Sequence, residues 1–203
     1  MTFQSLEYLI FLPVVFILYW TLCRGSKTLQ NGLIVAASLV FYGWWDWRVL
    51  GLLLITALST YLAGMLMNKI DDEKERKWIN IGAIVLNVGI LFFFKYFNFF
   101  VLSFADAFSL FGAEMNVHTL KILLPVGISF YTFTALSYSI DVYQRKVEPS
   151  RDVLAYLAYV TFFPSILSGP ISRAQKQLPQ YFEKRVFDYD KTVSACKILL
   201  LGG

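Results

Sequence analysis

Residues 162–173 read Phe-Phe-Pro-Ser-Ile-Leu-Ser-Gly-Pro-Ile-Ser-Arg, and they carry the clearest indication of the fold class. It begins as an apolar membrane segment, breaks at Pro164 and again at Gly169-Pro170, and ends on Arg173. Non-helical backbone at membrane depth leaves amide groups unpaired, at several kcal/mol each, unless protein or a water-filled cavity surrounds it. The stretch therefore predicts a membrane protein that folds around an internal cavity.

The composition is typical of a helical membrane protein. Of the 203 residues, 57% are hydrophobic and 16% are charged, whereas a soluble domain has about 25% charged residues. The apolar residues form long runs without a polar face, which predicts an all-α, polytopic transmembrane protein. The net charge of +4 lies in the connections between runs. It therefore informs topology and does not indicate a nucleic-acid partner.

Long apolar runs mark the predicted helices, since a helix needs about 20 residues to cross the hydrocarbon core. The runs cover residues 6–22, 32–47, 49–68, 78–100, 120–140 and 153–168, and a last one starts near residue 192. Only Asp46-Trp47-Arg48 separates the second run from the third, which predicts a tight helical hairpin. Residues 101–119, apolar with few charges, are predicted to lie along the outer interface as an amphipathic helix.

The numbers of lysine and arginine residues in the connections between apolar runs predict the orientation of the chain in the membrane. The connections at residues 24–27, 69–77 and 145–151 are basic and those between them carry few positive charges, which predicts an N-terminus outside the membrane. The segment 173–191 is basic as well, so both ends of the run 153–168 belong on the cytoplasmic side. A re-entrant segment satisfies this pattern. The alternative is a short true span followed by a basic external loop.

Two basic residues are candidates for function. Lys95 lies within the aromatic run 92–97, and it is either an anchor that reaches the headgroups or a charge that faces an internal cavity. Arg173 follows the Gly-Pro break, and a guanidinium is suited to bind carboxylate, phosphate or thioester-carrier groups. Anchoring at the membrane surface is the alternative for Arg173.

Hydroxyl groups are dense between residues 124 and 143, where Tyr131 and Tyr138 lie. Such residues either pack membrane helices closely or line a polar path. Asp141 lies at the predicted cytoplasmic end of this run, and we expect it to form an ion pair with Arg145 or Arg151.

No complete active site can be assembled from these residues. His118, the single histidine, has no carboxylate at triad-like spacing and is expected to be an ordinary surface residue. Cys23 and Cys196 are far apart and lack zinc-site spacing, so neither a disulfide nor a metal site is predicted.

Three segments together resemble the membrane-bound O-acyltransferase family. They are residues 93–100, residues 124–143, and residues 163–173. Their order and spacing are similar to those of the bacterial branch that includes alginate and peptidoglycan O-acetyltransferases. One segment alone is a weak signal, whereas the three in order are fairly specific and cover nearly the whole chain.

The resemblance implies a multi-helix fold around a funnel in the bacterial cytoplasmic membrane, with Pro164, Gly169 and Pro170 shaping a re-entrant turn. It implies an O-acyltransferase that binds no cofactor and takes its acyl group from acetyl-CoA or an acyl-carrier thioester. The implied acceptor is a hydroxyl of a cell-surface polysaccharide. The implied partners are membrane lipids and an acyl carrier or a periplasmic transferase. Arg173 would hold the donor near the cytoplasmic mouth.

The catalytic histidine of the family lies in its second half, and nothing in this chain matches it. Residues 1–203 are therefore expected to be one transmembrane domain, the N-terminal part of a longer protein, with the histidine beyond Gly203 and no activity alone. Lys95, Tyr131, Tyr138 and Asp141 are candidates to line the channel. Two other functions fit the sequence: a transporter or flippase for a polysaccharide or lipid-linked substrate, which also uses broken helices, and a non-catalytic membrane scaffold.

Overall fold

In a computed structural model, the structure describes residues 6–44, 47–110, 127–166 and 173–201, without the side chains of 49, 98–99, 101–110, 166, 196 and 199–201. Every element in these ranges is helical. The helices are α1 (Leu6–Thr21), α2 (Lys27–Gly43), α3 (Trp47–Lys69), α4 (Glu73–Leu110), α5 (Ile128–Tyr143), α6 (Val153–Val160), α7 (Phe163–Ile166), α8 (Ala174–Gln177), a 3-10 turn (Leu178–Tyr181) and α9 (Tyr189–Leu201).

Most predicted runs correspond to a helix, and two boundaries differ. The expected hairpin linker is shifted, because residues 47 and 48 already belong to the first turn of α3. Residues 101–110 do not form a separate interfacial helix but continue α4. The stretch has no glycine or proline that would end a helix there. The rest of the predicted interfacial segment, with His118, lies outside the described residues.

Within the part of the chain that the structure describes, two helices are long and apolar enough to cross a membrane, Leu50–Lys69 and Glu73–Phe97. The helix Leu6–Thr21 and the apolar stretch Val153–Ser165, which covers α6 and most of α7, are shorter. These features agree with a membrane protein, and the number and direction of the spans stay predictions.

Polar pairs join α4 to the two helices packed against it, α3 and α5, and α4 runs antiparallel to both. The amide of Asn87 on α4 donates to the hydroxyl of Ser59 on α3 at 3.0 Å. The hydroxyl of Ser139 on α5 donates to the side-chain oxygen of Asn80 on α4 at 2.9 Å. Such bonds hold helices together where lipid is as apolar as the side chains and the hydrophobic effect is weak.

The run 153–168 is broken, as the sequence predicts, but the break comes before Pro164. Helix α6 ends at Val160 and α7 begins at Phe163, which places Pro164 in the first turn of α7. A continued α6 would lack the hydrogen bond from residue 164 to Val160, and the proline ring would clash with that carbonyl. The backbone N–H of Phe163 instead donates to the hydroxyl of Ser38 on α2 at 3.2 Å. Gly169 and Pro170 lie outside the described residues.

Candidate functional site

A cavity of about 360 Å³ lies beside the broken segment. Its walls come from α1, α2, the α6–α7 break and the segment 177–185. The lining residues are Leu12, Val15, Phe16, Tyr19, Trp20, Ile34, Phe162, Phe163, Pro164, Gln177, Gln180, Tyr181 and Arg185. The walls are mostly apolar with a few polar groups and one charged group, the usual composition of a small-molecule site.

Arg185 is the charged residue of the cavity, and aromatic rings hold its guanidinium. Its central carbon lies 5.6 Å from the ring centre of Tyr19 and 5.2 Å from that of Tyr181. Both distances are within the range of cation–π attraction. The two rings restrict the orientation of the guanidinium, so the position of its charge is fixed without a ligand.

Two buried side-chain amides of α2 also hold Arg185 in place through hydrogen bonds. The side-chain oxygen of Gln30 accepts from the backbone N–H of Arg185 at 3.0 Å, and its amide nitrogen donates to the Arg185 carbonyl at 2.8 Å. Asn31 accepts from the guanidinium and donates to the Tyr181 carbonyl at 2.9 Å. Both amides are almost completely buried. Buried polar groups need such partners, so these bonds secure the segment 181–185 to the start of α2.

Ser26 explains why the two amides lie where they do. Its side chain caps α2 by accepting from the backbone N–H of Thr28 at 3.2 Å. Helix α2 therefore starts at Lys27, and Gln30 and Asn31 fall at the end of its first turn. Both residues there face the segment 181–185 and not solvent.

Gln177 contributes an unpaired acceptor. Its side-chain oxygen is buried and has no hydrogen-bond partner among the described residues, and the residue lines the cavity. A buried acceptor without a partner costs about 1–3 kcal/mol.

The predicted site residues do not converge on this cavity. Pro164 lines it. Arg173 is exposed at the start of α8, where its backbone precedes the helix, and it does not line the cavity. Lys95 is exposed on α4, with its ammonium 5.6 Å from the ring centre of Tyr96.

Tyr131 and Tyr138 are fully buried between helices. The hydroxyl of Tyr138 accepts from the backbone N–H of Ser150 at 3.0 Å, and its ring packs on Tyr156 with 4.5 Å between centres. The ring of Tyr131 meets Tyr42 edge-on at 6.2 Å, and its hydroxyl has no hydrogen-bond partner within the described residues. The contacts of Tyr138 therefore hold neighbouring elements together.

The ion pair expected for Asp141 is not formed. Arg145 has a positive φ of 58°, and its guanidinium lies 3.8 Å from the carboxylate of Glu73 at the start of α4. One carboxylate oxygen of Asp141 is buried without a hydrogen-bond partner in the described part of the chain. The turn after α5 therefore directs Arg145 toward Glu73 on α4, and not toward Asp141 on α5 as the sequence suggested.

Sequence reasoning missed Arg185 and Gln177. Arg185 counted only as one of several basic residues that orient the chain. The available signal was the amide pair Gln30-Asn31 within the first turn of an apolar helix, because buried amides imply polar partners elsewhere. The identity of those partners, 150 and 155 residues away in the chain, is not visible in any local pattern.

Comparison with known proteins supplies relatives over the full length of the chain. A probable alginate O-acetylase AlgI of Azotobacter vinelandii is 34% identical over 100% of this chain and 40% of its own length. The protein of that name in Pseudomonas aeruginosa is 35% identical over 100% of this chain and 38% of its own length. A peptidoglycan O-acetyltransferase of Helicobacter pylori is 28% identical over 86% of this chain and 37% of its own length.

The chain spans about two fifths of the length of these relatives. No family model matches the chain, and no solved structure matches it. The predicted resemblance is nevertheless confirmed, because the same two kinds of O-acetyltransferase are found among the relatives. The chain is therefore similar, over 86–100% of its length, to proteins named alginate O-acetylase and peptidoglycan O-acetyltransferase.

Proposed function

We propose that this chain is part of an integral membrane O-acetyltransferase that acetylates hydroxyls of an extracytoplasmic polysaccharide. The observation that carries the proposal is the identity of 34–35% over the whole chain to proteins named alginate O-acetylase. The apolar cavity with one fixed cation supports it, because acyl transfer to a hydroxyl needs a site that limits hydrolysis of the activated donor.

In the proposed reaction a general base removes the proton from an acceptor hydroxyl, or from an equivalent acyl-relay group, and the oxygen attacks the thioester carbonyl of the donor. The carbon–sulfur bond then breaks, the acetyl group stays on the oxygen as an ester, and the sulfur leaves as a free thiol with the proton that the base had taken up. The base is a histidine contributed from beyond Gly203, within a fold of the membrane-bound O-acyltransferase class. The donor is acetyl-CoA or an acyl-carrier thioester. The partners are an acyl carrier or a periplasmic transferase. The protein lies in the bacterial cytoplasmic membrane with its N-terminus outside, and Arg173 contacts the donor at the cytoplasmic mouth.

We also propose that residues 153–173 form a re-entrant segment, which enters and leaves the membrane on the same side. Contacts with α2 support this interpretation. Phe163 meets Ser38, which lies about 16 Å along α2 from Lys27 at 1.5 Å per residue. By residue 181 the chain is back beside Asn31 near the start of α2. In the proposal, the segment enters a hydrocarbon core of about 30 Å to the depth of Ser38 and returns to the end at which α2 starts.

Base-labile acetyl ester on purified cell-surface glycan tests the function. A strain that lacks the gene is compared with strains that carry the full-length protein or residues 1–203 only. We expect the esters to disappear on deletion and to return only with the full-length protein. Esters that are unchanged in all strains would contradict the proposal. In that case, unexported polymer in the deletion strain would favour transport, the function that the α6–α7 break also fits.

A further inference from the structure

We infer that the cavity beside the α6–α7 break binds an anionic phospholipid of the membrane, with the Arg185 guanidinium on the lipid phosphate and an acyl chain along the apolar wall. The inference goes beyond the proposed function, because a lipid held there is a structural ligand and takes no part in acetyl transfer. It shares with that function only the location in a membrane.

The first step is the charge of Arg185, which the described residues leave without a counterion. A guanidinium has five N–H donors and cannot be deprotonated in a protein. The described structure uses its Nε for Gln30 and one terminal nitrogen for Asn31. No acidic residue is among the described residues that line the cavity, and none of the described carboxylates forms an ion pair with Arg185. The remaining donors are therefore available for a phosphate, which a guanidinium binds through short, charge-assisted hydrogen bonds.

The second step is the distribution of polarity along the cavity, which is that of a phospholipid. Its charged end lies near the start of α2, where Arg185 bonds to Asn31. Its apolar end lies where Phe163 contacts Ser38, about 10 Å further along the same helix at 1.5 Å per residue. One leaflet contributes about 15 Å to a hydrocarbon core of about 30 Å. The cavity therefore runs from headgroup depth through much of one leaflet.

The third step is the open side of the cavity, which is formed by α1. Leu12 and Phe16 line the cavity, yet 40% and 47% of their surfaces are exposed. No residue of α1 is buried. An acyl chain can therefore enter sideways from the bilayer and cover these two side chains and Phe162, which also lines the cavity. A soluble phosphate compound would leave this apolar wall uncovered.

The charge of the site favours phosphatidylglycerol over phosphatidylcholine. The lining contains one cation and no anion among the described residues, so the ammonium of a choline headgroup would find no partner there. This end of the bundle is predicted to be cytoplasmic, and basic pockets between helices on that side are typical sites for anionic headgroups. The occupant is therefore an anionic lipid of the cytoplasmic leaflet.

Quenching of Trp20 fluorescence by brominated lipids tests the inference, because Trp20 lines the cavity. The full-length protein, with its other tryptophans replaced by phenylalanine, is placed in phosphatidylcholine nanodiscs. These contain increasing fractions of phosphatidylglycerol or of phosphatidylcholine with brominated acyl chains. We expect half-maximal quenching at about a fivefold lower fraction of the brominated phosphatidylglycerol, the usual effect of one cation on an anionic lipid. Equal fractions would overturn the inference.

Arg185→Gln should abolish this preference for phosphatidylglycerol. The bonds between Gln30 and the backbone of residue 185 remain in the variant, so the segment keeps its place. Lys184→Gln is the matched control, because Lys184 is an exposed cation next to Arg185 that does not line the cavity. It should keep the fivefold preference. An equal loss in both variants would indicate general attraction to a basic surface and would overturn the site.

A second reporter needs no change at Arg185, and it decides if Arg185→Gln does not fold. Trp44 is exposed at the other end of α2. As the single tryptophan of the full-length protein, it should be quenched equally by the two brominated lipids. A preference at Trp44 as large as that at Trp20 would assign the effect to enrichment of anionic lipid around the whole protein, and the inference would fail.

Two further outcomes overturn the inference by assigning the cavity to another occupant. Absence of quenching of Trp20 by either lipid would show that the rest of the full-length protein covers the cavity. Loss of the preference on addition of sn-glycerol 3-phosphate would assign Arg185 to a soluble phosphate compound. The acetyl-ester assay separates this inference from the proposed function. Esters that depend on the protein without a lipid preference at Trp20 would refute the lipid site alone, and a preference without such esters would refute the proposed function alone.

Discussion

Gly64 on α3 shows how one missing side chain sets the distance between two helices. A Cβ at Gly64 would lie 2.9 Å from the hydroxyl oxygen of Tyr138 on α5 and 3.0 Å from a carbon of its ring. Tyr138 cannot retreat, because its hydroxyl accepts from the Ser150 backbone and its ring packs on Tyr156. Small residues allow membrane helices to approach closely, and here the space is taken by a tyrosine ring.

Gly64→Ala should therefore destabilise the fold by about 1–3 kcal/mol, the usual cost of overpacking a core. Gly82→Ala on α4 is the matched control, since a Cβ there has no neighbour within 4 Å. The control should be neutral or stabilising by up to about 1 kcal/mol, because alanine favours the helix over glycine. Denaturant unfolding in mixed micelles measures both, and equal stabilities would contradict the packing argument.

At the scale of elements, Arg76 ties three helices together. It lies in the first turn of α4, and its guanidinium is buried. It donates to the carbonyl of Met67 near the end of α3, and to those of Val142 at 3.1 Å and Tyr143 at 3.4 Å at the end of α5. Helix C-termini carry partial negative charge and unpaired carbonyls. One cation therefore satisfies the ends of two helices at once.

Arg76→Met should destabilise the protein by about 1.5–3 kcal/mol or more, because it removes charged hydrogen bonds from buried carbonyls. Arg145→Gln is the control, since its ion pair with Glu73 is exposed and such pairs contribute about 0–1 kcal/mol. Faster hydrogen exchange in the last turns of α3 and α5 should accompany the loss in Arg76→Met. Similar stability of the two variants would refute the capping role.

Apolar runs were enough to predict most of the long helices, and Pro164 was enough to predict a break in the run 153–168, because both depend on local chemistry. The roles of Arg76 and Arg185 were not predictable in this way. In the sequence analysis, both were used only as basic loop residues that orient the chain in the membrane. In the structure, each is held by groups on distant helices. The length of α4 was underestimated because the run was ended where hydrophobicity fell, although no residue there stops a helix.

At the scale of the whole molecule, the basic connections gather at one end of the bundle. Arg185 contacts Gln30 near the start of α2, and Arg76 joins the ends of α3 and α5. Because α2 and α3 form an antiparallel hairpin, these contacts lie at the same end. That arrangement fits the positive-inside pattern, which predicts this end to be cytoplasmic.

Single cysteines test this topology in a background with Cys23 and Cys196 replaced by alanine. Cysteines at the exposed positions Lys74 and Gln175 should react with a membrane-impermeant maleimide only from the cytoplasmic side. A cysteine at exposed Trp44, at the other end of α2, should react only from outside. Labelling of the Gln175 position from outside alone would favour a true span over re-entry.

The hydrogen bonds between α2 and Arg185 also have a consequence for the biosynthesis of the protein. Gln30 and Asn31 find their hydrogen-bond partners about 155 residues later in the chain. At a synthesis rate of roughly 5–20 residues per second, α2 exists for about 8–30 s before Arg185 leaves the ribosome. During that time its two amides lack their native partners at the membrane. Closure of this end of the bundle is thus a late event in biosynthesis, and a chain that stops before Arg185 would present two unpaired amides to the membrane's quality-control proteases.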